Sequence, residues 1–325
     1  MKKPPVLEEE LKKFIEAIQT NKKFFLAGHI GPDGDTIGSM LAIASVLKRM
    51  GKKVYMFSGD PVPENLAFLP HIKSIHVSKP PRSRFDAMIL LECSNLKRAG
   101  ILNGLDKITS LIVNIDHHKT ADFYGDINII DTASSSTAEI IYRFFYSQKV
   151  NITKIEASYL YVGIVTDTGR FHYPATNPQT HETASRLLQT GFKFARINDF
   201  LYSTRSFESL KILGRALESM TMMFSGKAAV MTLTQRDFTE LNAMVEHSEN
   251  AINYGMMIPG VKAAILFREE GGRLSVTFRS KGRIDVSAVA AKFGGGGHKN
   301  AAGCKFKPPL KEAFKKVLPE IRKIV

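Results

Sequence analysis

An α/β fold is expected: an N-terminal parallel sheet flanked by helices, then a helical connector, then a smaller C-terminal α/β domain with a mixed sheet. Three observations predict it. The runs at 24–28, 88–91 and 111–115 are short and apolar on both faces, the mark of central parallel strands covered on both sides. Helical spacings alternate with strand runs as far as about residue 190, which argues for a parallel sheet with helices packed on it. Beyond residue 220 the strand patterns change character. Leu274, Val276 and Phe278 alternate with Ser275, Thr277 and Arg279, as in a strand with one buried face.

The elements follow in order. Leu7, Leu11, Phe14, Ile15 and Ile18 recur at helical spacing, so a helix covers 7–19. The strand at 24–28 ends in His29 and a polar turn punctuated by Pro32 and Gly34. Ile37, Met40, Leu41, Ala44 and Leu47 predict a helix over 36–50, with Asp35 as its N-cap and Gly51 ending it. Val54 to Phe57 is a strand; 88–92 and 111–115 are the central pair; 137–147 and 154–166 are helices. The domain boundaries fall at 1–190, 191–215 for the connector and 216–325. In the last domain, strands are expected at 228–233, 261–267 and 274–278, and a short helix at 285–293 runs into Gly294, Gly295, Gly296, Gly297 and His298.

Composition narrows the partners. Apolar residues make up 44% of the 325-residue chain, enough for a sizeable core and unlike a disordered sequence. Lys and Arg number 45 against 31 Asp and Glu, a net charge of +14 that fits either a polyanionic partner or a plain basic surface. Cys93 and Cys304 are the two cysteines, too few for a disulfide framework or a zinc knuckle, so a reducing cytoplasm is expected. Glu8, Glu9 and Glu10 break any apolar leader, and no stretch reaches transmembrane length, so no membrane partner is expected.

Four separate segments end in metal-type ligands. The first strand ends at His29, with Asp33 and Asp35 on the following turn; the second run ends at Glu92; the third ends Asp116-His117-His118; the apolar segment from Tyr159 to Val165 leads to Asp167. In open α/β sheets, ligands gather where strands end. Imidazoles with carboxylates, and no thiolate, suit a borderline divalent ion such as manganese, zinc or iron. His29, Asp33, Asp35, Glu92, His117 and Asp167 are six ligands, too many for a single catalytic ion with an open position. They suit two ions sharing a carboxylate, roughly 3.5–4 Å apart in such sites. Each motif alone has a plainer reading as a surface turn, a strand cap or a helix end; together they point to a metal centre. The glycine run matches neither a P-loop nor a dinucleotide fingerprint. Its backbone N–H groups can face an anion, or the run can be a flexible linker.

The motifs resemble the DHH phosphoesterase superfamily, named for the tripeptide at 116–118, and most closely its NrnA-type branch, which pairs that domain with a C-terminal DHH-associated domain. The resemblance rests on residues 28–35, 116–118, Thr166 to Gly169 and Gly294 to Gly303, in matching order and spacing. It implies one manganese on His29 and Asp33 and a second on Asp35, His117 and Asp167. The residue after the strand at 88–91 bridges them. The family has Asp there, whereas this chain has Glu92, whose extra methylene adds about 1.5 Å of reach. His118 falls outside that ligand set and is assigned to the phosphate or the leaving oxygen as donor or general acid. Asp116 either orients His117 or its neighbours, or touches a metal. Asp86, six residues before Glu92, begins the strand and so points to the wrong end.

The expected activity is a manganese-dependent phosphodiesterase. It hydrolyses short single-stranded oligoribonucleotides, including linear pApA, to nucleoside 5′-monophosphates and removes the 3′-phosphate of pAp, by two-metal hydroxide attack in a cleft between the domains. The resemblance favours Arg279, Gly295, Gly296, Gly297 and His298 as substrate contacts from the second domain; Arg279 alone also reads as a solvated strand-face charge. Two alternatives stand beside this reading. One is a cyclic di-AMP phosphodiesterase. The other is a nucleotide-binding regulator with weak turnover because Glu92 replaces Asp. A homodimer is the working expectation for assembly.

Overall fold

The computed structural model describes residues 7–77, 83–100, 108–248, 250–307 and 309–325. The chain divides into two compact units, Met1–Thr204 and Arg205–Val325.

The first unit is built on a parallel sheet. Its strands are β1 (Lys23–Gly28), β2 (Lys53–Ser58), β3 (Ile75–Val77), β4 (Ala87–Leu91), β5 (Ile112–Asp116) and β6 (Ile127–Ile130), in the order β3-β2-β1-β4-β5-β6. Every pairing is parallel. The order runs outward in opposite directions from β1 and β4, so the crevice at their C-terminal ends is the switch point where such sheets hold ligands. All five β4 residues are buried, as the two-sided apolar pattern predicts.

Phe24 and Leu26 join one core, while Phe25 and Ala27 join a second on the opposite face. The first core takes side chains from α1 (Leu7–Thr20), α2 (Gly34–Arg49), α3 (Thr137–Ser147) and α4 (Lys154–Asp167). The second takes Leu96, Ala99 and Ile108 from the segment after β4. Burying each such leucine or isoleucine contributes about 1.5–3 kcal/mol. Helices α5 (Pro178–Leu188) and α6 (Phe194–Asn198), with a π-helical turn at Asp199–Ser203, complete the unit.

One boundary differs from the sequence-based expectation. Asp33, not Asp35, caps α2: its Oδ1 accepts from the N–H groups of Asp35 and Thr36 at 3.0 Å each. Both residues are good caps. The helix starts two residues early because Asp35 has a non-local role described below.

In the second unit, helix α7 (Phe207–Glu218) places Ile212 and Ala216 in a core against β8 (Ala228–Leu233). With β7 (Thr221–Met223), β9 (Ala263–Glu270), β10 (Arg273–Ser280), β11 (Gly296–His298) and β12 (Ala301–Phe306), the sheet order is β11-β12-β10-β9-β8-β7. Strands β8 and β9 pair in parallel and the other neighbours antiparallel, so the sheet is mixed. Short helices α8 (Gln235–Glu240) and α9 (Ala251–Gly255) lie between β8 and β9. Helices α10 (Val286–Lys292) and α11 (Leu310–Arg322) follow β10 and β12 and bury Val286, Val289, Val317 and Ile321. Among the described residues, no helix is long and apolar enough to cross a membrane.

Candidate metal centre

The four ligand-bearing segments converge at the C-terminal edge of the first sheet. Their side chains form three overlapping groups, within each of which the donor atoms lie within 4.8 Å of one another: His29, Asp33 and Glu92; Asp35, His117 and Asp167; and Glu92, His117 and His118. Glu92 belongs to the first and third groups and His117 to the second and third, so the clusters are contiguous. Asp86 lies at the other end of the sheet, where its Oδ2 accepts from the N–H groups of Lys22 and Lys23 at 2.8 Å.

Glu92 is the centre of the arrangement. It follows β4 in a left-handed conformation, φ 60°, which is strained for a residue with a Cβ and typical of functional sites. The side chain is 2% exposed. Its Oε2 lies 3.8 Å from His29 Nε2 and its Oε1 3.9 Å from His117 Nε2, so the carboxylate reaches both histidines at once. Thr36 Oγ1 donates to Oε2 at 2.6 Å and fixes the rotamer.

The histidine ring orientations define which nitrogen is free. His29 Nδ1 is 2.8 Å from the Ile30 carbonyl, which can only accept, so Nδ1 carries the proton. Nε2 is then the ring atom turned to the site, 3.8 Å from both Asp33 Oδ2 and Glu92 Oε2. An imidazole nitrogen and two carboxylate oxygens at that spacing can share a cation. His117 Nε2 is buried without a hydrogen-bond partner, although Asp167 Oδ2 lies 3.2 Å away. Burial and the neighbouring His118 charge hold the His117 ring down to about 4, so it is neutral and able to ligate.

The carboxylates carry matching electrostatics. Burial, followed by the charges of its acidic neighbours, pushes Asp35 and Glu92 well above the usual range. Burial and Asp33 raise Asp167 to about 7. Asp33 is the exception: loss of water raises it, but His29 and the capping N–H groups of α2 bring it to about 2. Such mutual repulsion among buried acids is relieved by divalent cations, and the oxygen and imidazole donor set fits them.

Asp35 reaches across the unit. Its oxygens accept from the N–H groups of Thr137 and Ala138, at 2.6 and 2.9 Å, at the start of α3. Gly163 on α4 makes room for it; a Cβ there would meet Asp35 Oδ1 at 2.6 Å. The sequence pattern does not single out Thr36, Thr137, Ala138 or Gly163. The run Ser134 to Thr137 ahead of Glu139 is the signal that could flag a helix start able to receive an anion.

Asp116 is fully buried, and its Oδ1 accepts from the N–H of His118 at 2.9 Å and faces His118 Nδ1 at 2.8 Å. It therefore orients His118. The bond that His118 donates to Asp116 also raises the ring above its ordinary value, keeping it a donor. Asp116 Oδ2 is buried without a partner.

In the second unit the glycine run is part of a strand rather than a free linker: β11 pairs with β12, Gly296 opposite Gly303 and His298 opposite Ala301. Gly295 is required by close packing, since a Cβ would meet the Gly303 carbonyl at 2.2 Å. Gly296 is open: among the described residues, nothing would lie within 4 Å of a Cβ there, and β11 is exposed throughout. Arg279 lies on β10, opposite Ala301 of β12 and therefore on the strand next to the β12–β11 pair.

Comparison with known proteins follows this division. Residues 23–164 match the DHH family, N-terminal domain, and residues 225–325 match the DHHA1 domain. The bifunctional oligoribonuclease and PAP phosphatase NrnA of Thermus thermophilus is 29% identical over 299 residues, covering 92% of this chain and 89% of that protein. The protein of the same name from Bacillus subtilis is 28% identical, covering 89% and 91%. The crystal structure of an exopolyphosphatase-related protein from Bacteroides fragilis superposes with a TM-score of 0.90 at 26% identity, covering 97% of each chain.

Proposed function

The chain belongs to the DHH phosphoesterase superfamily, and from that premise we propose that it is a metal-dependent phosphodiesterase. Its substrates are short oligoribonucleotides, including linear pApA, cut to nucleoside 5′-monophosphates; it also removes the 3′-phosphate of pAp. The observation that carries the reading is the pair of donor groups, His29 with Asp33 and Asp35 with His117 and Asp167, joined through the two oxygens of Glu92. The relatives' names supply the substrate class.

His29 and Asp33 would hold one divalent cation and Asp35, His117 and Asp167 the other, with Glu92 placed to serve both; manganese suits the donors. Bound there, the ions supply the positive charge that activates water and neutralises phosphate oxygens. The remaining work belongs to the chain. Thr36 and the α3 N–H groups keep Glu92 and Asp35 from turning away. His118, held by Asp116, donates a proton from its second ring nitrogen to the leaving oxygen. In the DHHA1 domain, Arg279, the backbone of Gly296 and Gly297, and His298 bind a substrate phosphate, with Gly296 the more open of the two glycines; the Gly295 N–H already donates to the Ala290 carbonyl at 2.9 Å, so Gly295 serves by its close packing alone. Because Glu92 reaches both histidines, the longer acid preserves the bridge, which favours an active enzyme over a binding-only regulator.

A product profile tests this. Di- to hexanucleotides, pAp and cyclic di-AMP are incubated with manganese or with magnesium. Mononucleotide release from the shortest oligomers and AMP release from pAp support the reading. Turnover of cyclic di-AMP alone replaces the substrate, and tight binding without release makes the protein a regulator.

A further inference from the structure

The turn that follows Asp167 has a feature the cation site does not use. Gly169, Arg170 and Phe171 are three consecutive left-handed residues, φ 55°, 62° and 64°, and two of them carry a Cβ. Such a run persists only where the surroundings hold it. Here the anchors are explicit. The Arg170 N–H donates to the Val165 carbonyl at 2.8 Å, and the N–H groups of His172 and Tyr173 both donate to the Thr168 carbonyl at 2.9 Å. The Phe171 ring stacks on His181 with centroids 5.0 Å apart, and the Arg170 guanidinium lies 4.8 Å over the Tyr202 ring. The turn is thus pinned on both sides, two residues beyond a proposed metal ligand.

What it presents is Tyr173. This ring is 53% exposed and is not part of the core. A Cβ on Gly169 would lie 2.5, 2.6 and 2.8 Å from three of its ring carbons. Near-equal distances to ring carbons place the Gly169 backbone over a face of the ring rather than beyond its edge. One face is therefore seated on backbone two residues from Asp167, the His172 ring meets Tyr173 edge-on with centroids 6.1 Å apart, and about half of the residue stays exposed. A buried aromatic needs no such seat, and a ring with only a surface role gains nothing from a strained turn.

We infer that Tyr173 is a stacking platform for the nucleobase attached to the phosphate being cut. The inference rests on the nucleotide-hydrolase reading and deepens it by naming where the base lies. Stacking of a base on an aromatic ring tolerates any base, because each has a π-face. It therefore suits an enzyme acting on oligomers of mixed sequence, and it predicts little discrimination among the four bases at that position.

The test compares Tyr173→Ala and Tyr173→Phe with the parent on pAp and on the same bisphosphate lacking its base, ribose 3,5-bisphosphate. The expected result is a KM for pAp raised about 10-fold in Tyr173→Ala with kcat little changed, rescue by Tyr173→Phe, and no difference between variants on the abasic compound. An unchanged KM in Tyr173→Ala, or an equal loss on both compounds, overturns the inference. If the parent releases phosphate from neither compound, the hydrolase reading fails separately. Binding of 1,N6-ethenoadenosine 3′,5′-bisphosphate then still decides the stack, since the parent and Tyr173→Phe quench its fluorescence and Tyr173→Ala does not. Equal quenching by all three overturns it.

Discussion

Among the regions of the first unit that bury carboxylates, two are treated in opposite ways. Glu156 on α4 is fully buried but fully answered: Arg49 Nε and Nη2 donate to it at 2.9 and 3.1 Å, Ser45 Oγ at 2.8 Å, and the Thr153 N–H at 2.9 Å in a capping box. Burial raises its carboxyl, yet these partners bring it below the ordinary value. At the sheet edge, burial first, and then the charges of neighbouring acids, push Asp35, Glu92 and Asp167 upward. The first is an acid the fold neutralises itself. The second is a set arranged to be neutralised by something the fold must bind. Burial alone does not mark a functional acid; several acids buried against one another and against histidines do.

The largest expected effect breaks the sheet-edge set. Asp167→Asn and His117→Ala each remove one donor, and kcat/KM should fall by about 10^3-fold, about 4 kcal/mol of transition-state stabilisation, with the far-ultraviolet circular dichroism unchanged. Steady-state kinetics on pAp reads this. An intermediate case sharpens the contrast. Asp116 is buried and has a partner, but that partner is His118, so Asp116→Asn should reduce kcat by about 10–100-fold with metal content retained. At Glu156 the readout changes kind. Glu156→Leu should lower stability by about 2 kcal/mol, a Tm drop of about 5 °C by calorimetry, while kcat per folded molecule stays at the parent value.

The smallest effect is in pH dependence, where the two regions have opposite signs. Asp167 ionises near 3.8 when unfolded and at about 7 when folded, so its penalty is absent below 3.8 and complete above 7. Asp35 and Glu92 act in the same direction. Glu156 has a lowered value; its contribution is present above 4.5 and is lost only as pH falls through the lower folded value. His117, held at about 4, opposes acidification between 6.5 and 4. Between about pH 7.5 and 6.5 the sheet-edge acids therefore dominate. Metal-stripped protein should melt a few degrees higher at about pH 6.5, and excess manganese should abolish the difference.

Legibility in the sequence follows locality. Strand β4 ending at Glu92 and strand β5 ending in Asp116-His117-His118 are readable because an apolar run and its terminal ligands are contiguous. Sequence alone puts the α2 cap two residues late, because Asp33 and Asp35 are equally good caps locally. What separates them is a hydrogen bond that Asp35 accepts from the start of a helix 102 residues away. Glycines 294–297 read as an anion-facing run or a linker, and the pairing of Gly296 and Gly297 with β12 stays hidden because it depends on a partner strand that local composition does not reveal. The left-handed backbone of Glu92 has no sequence signature, since nothing about a glutamate announces φ above zero.

Two cations joined by Glu92 are the core of the proposed chemistry, and electron paramagnetic resonance reads them directly as metal-stripped protein is titrated with manganese. Two ions per chain with a spin-coupled signal are expected, with the coupling lost in Glu92→Gln. A single ion per chain, or two ions without coupling in the parent, would refute the bridged pair.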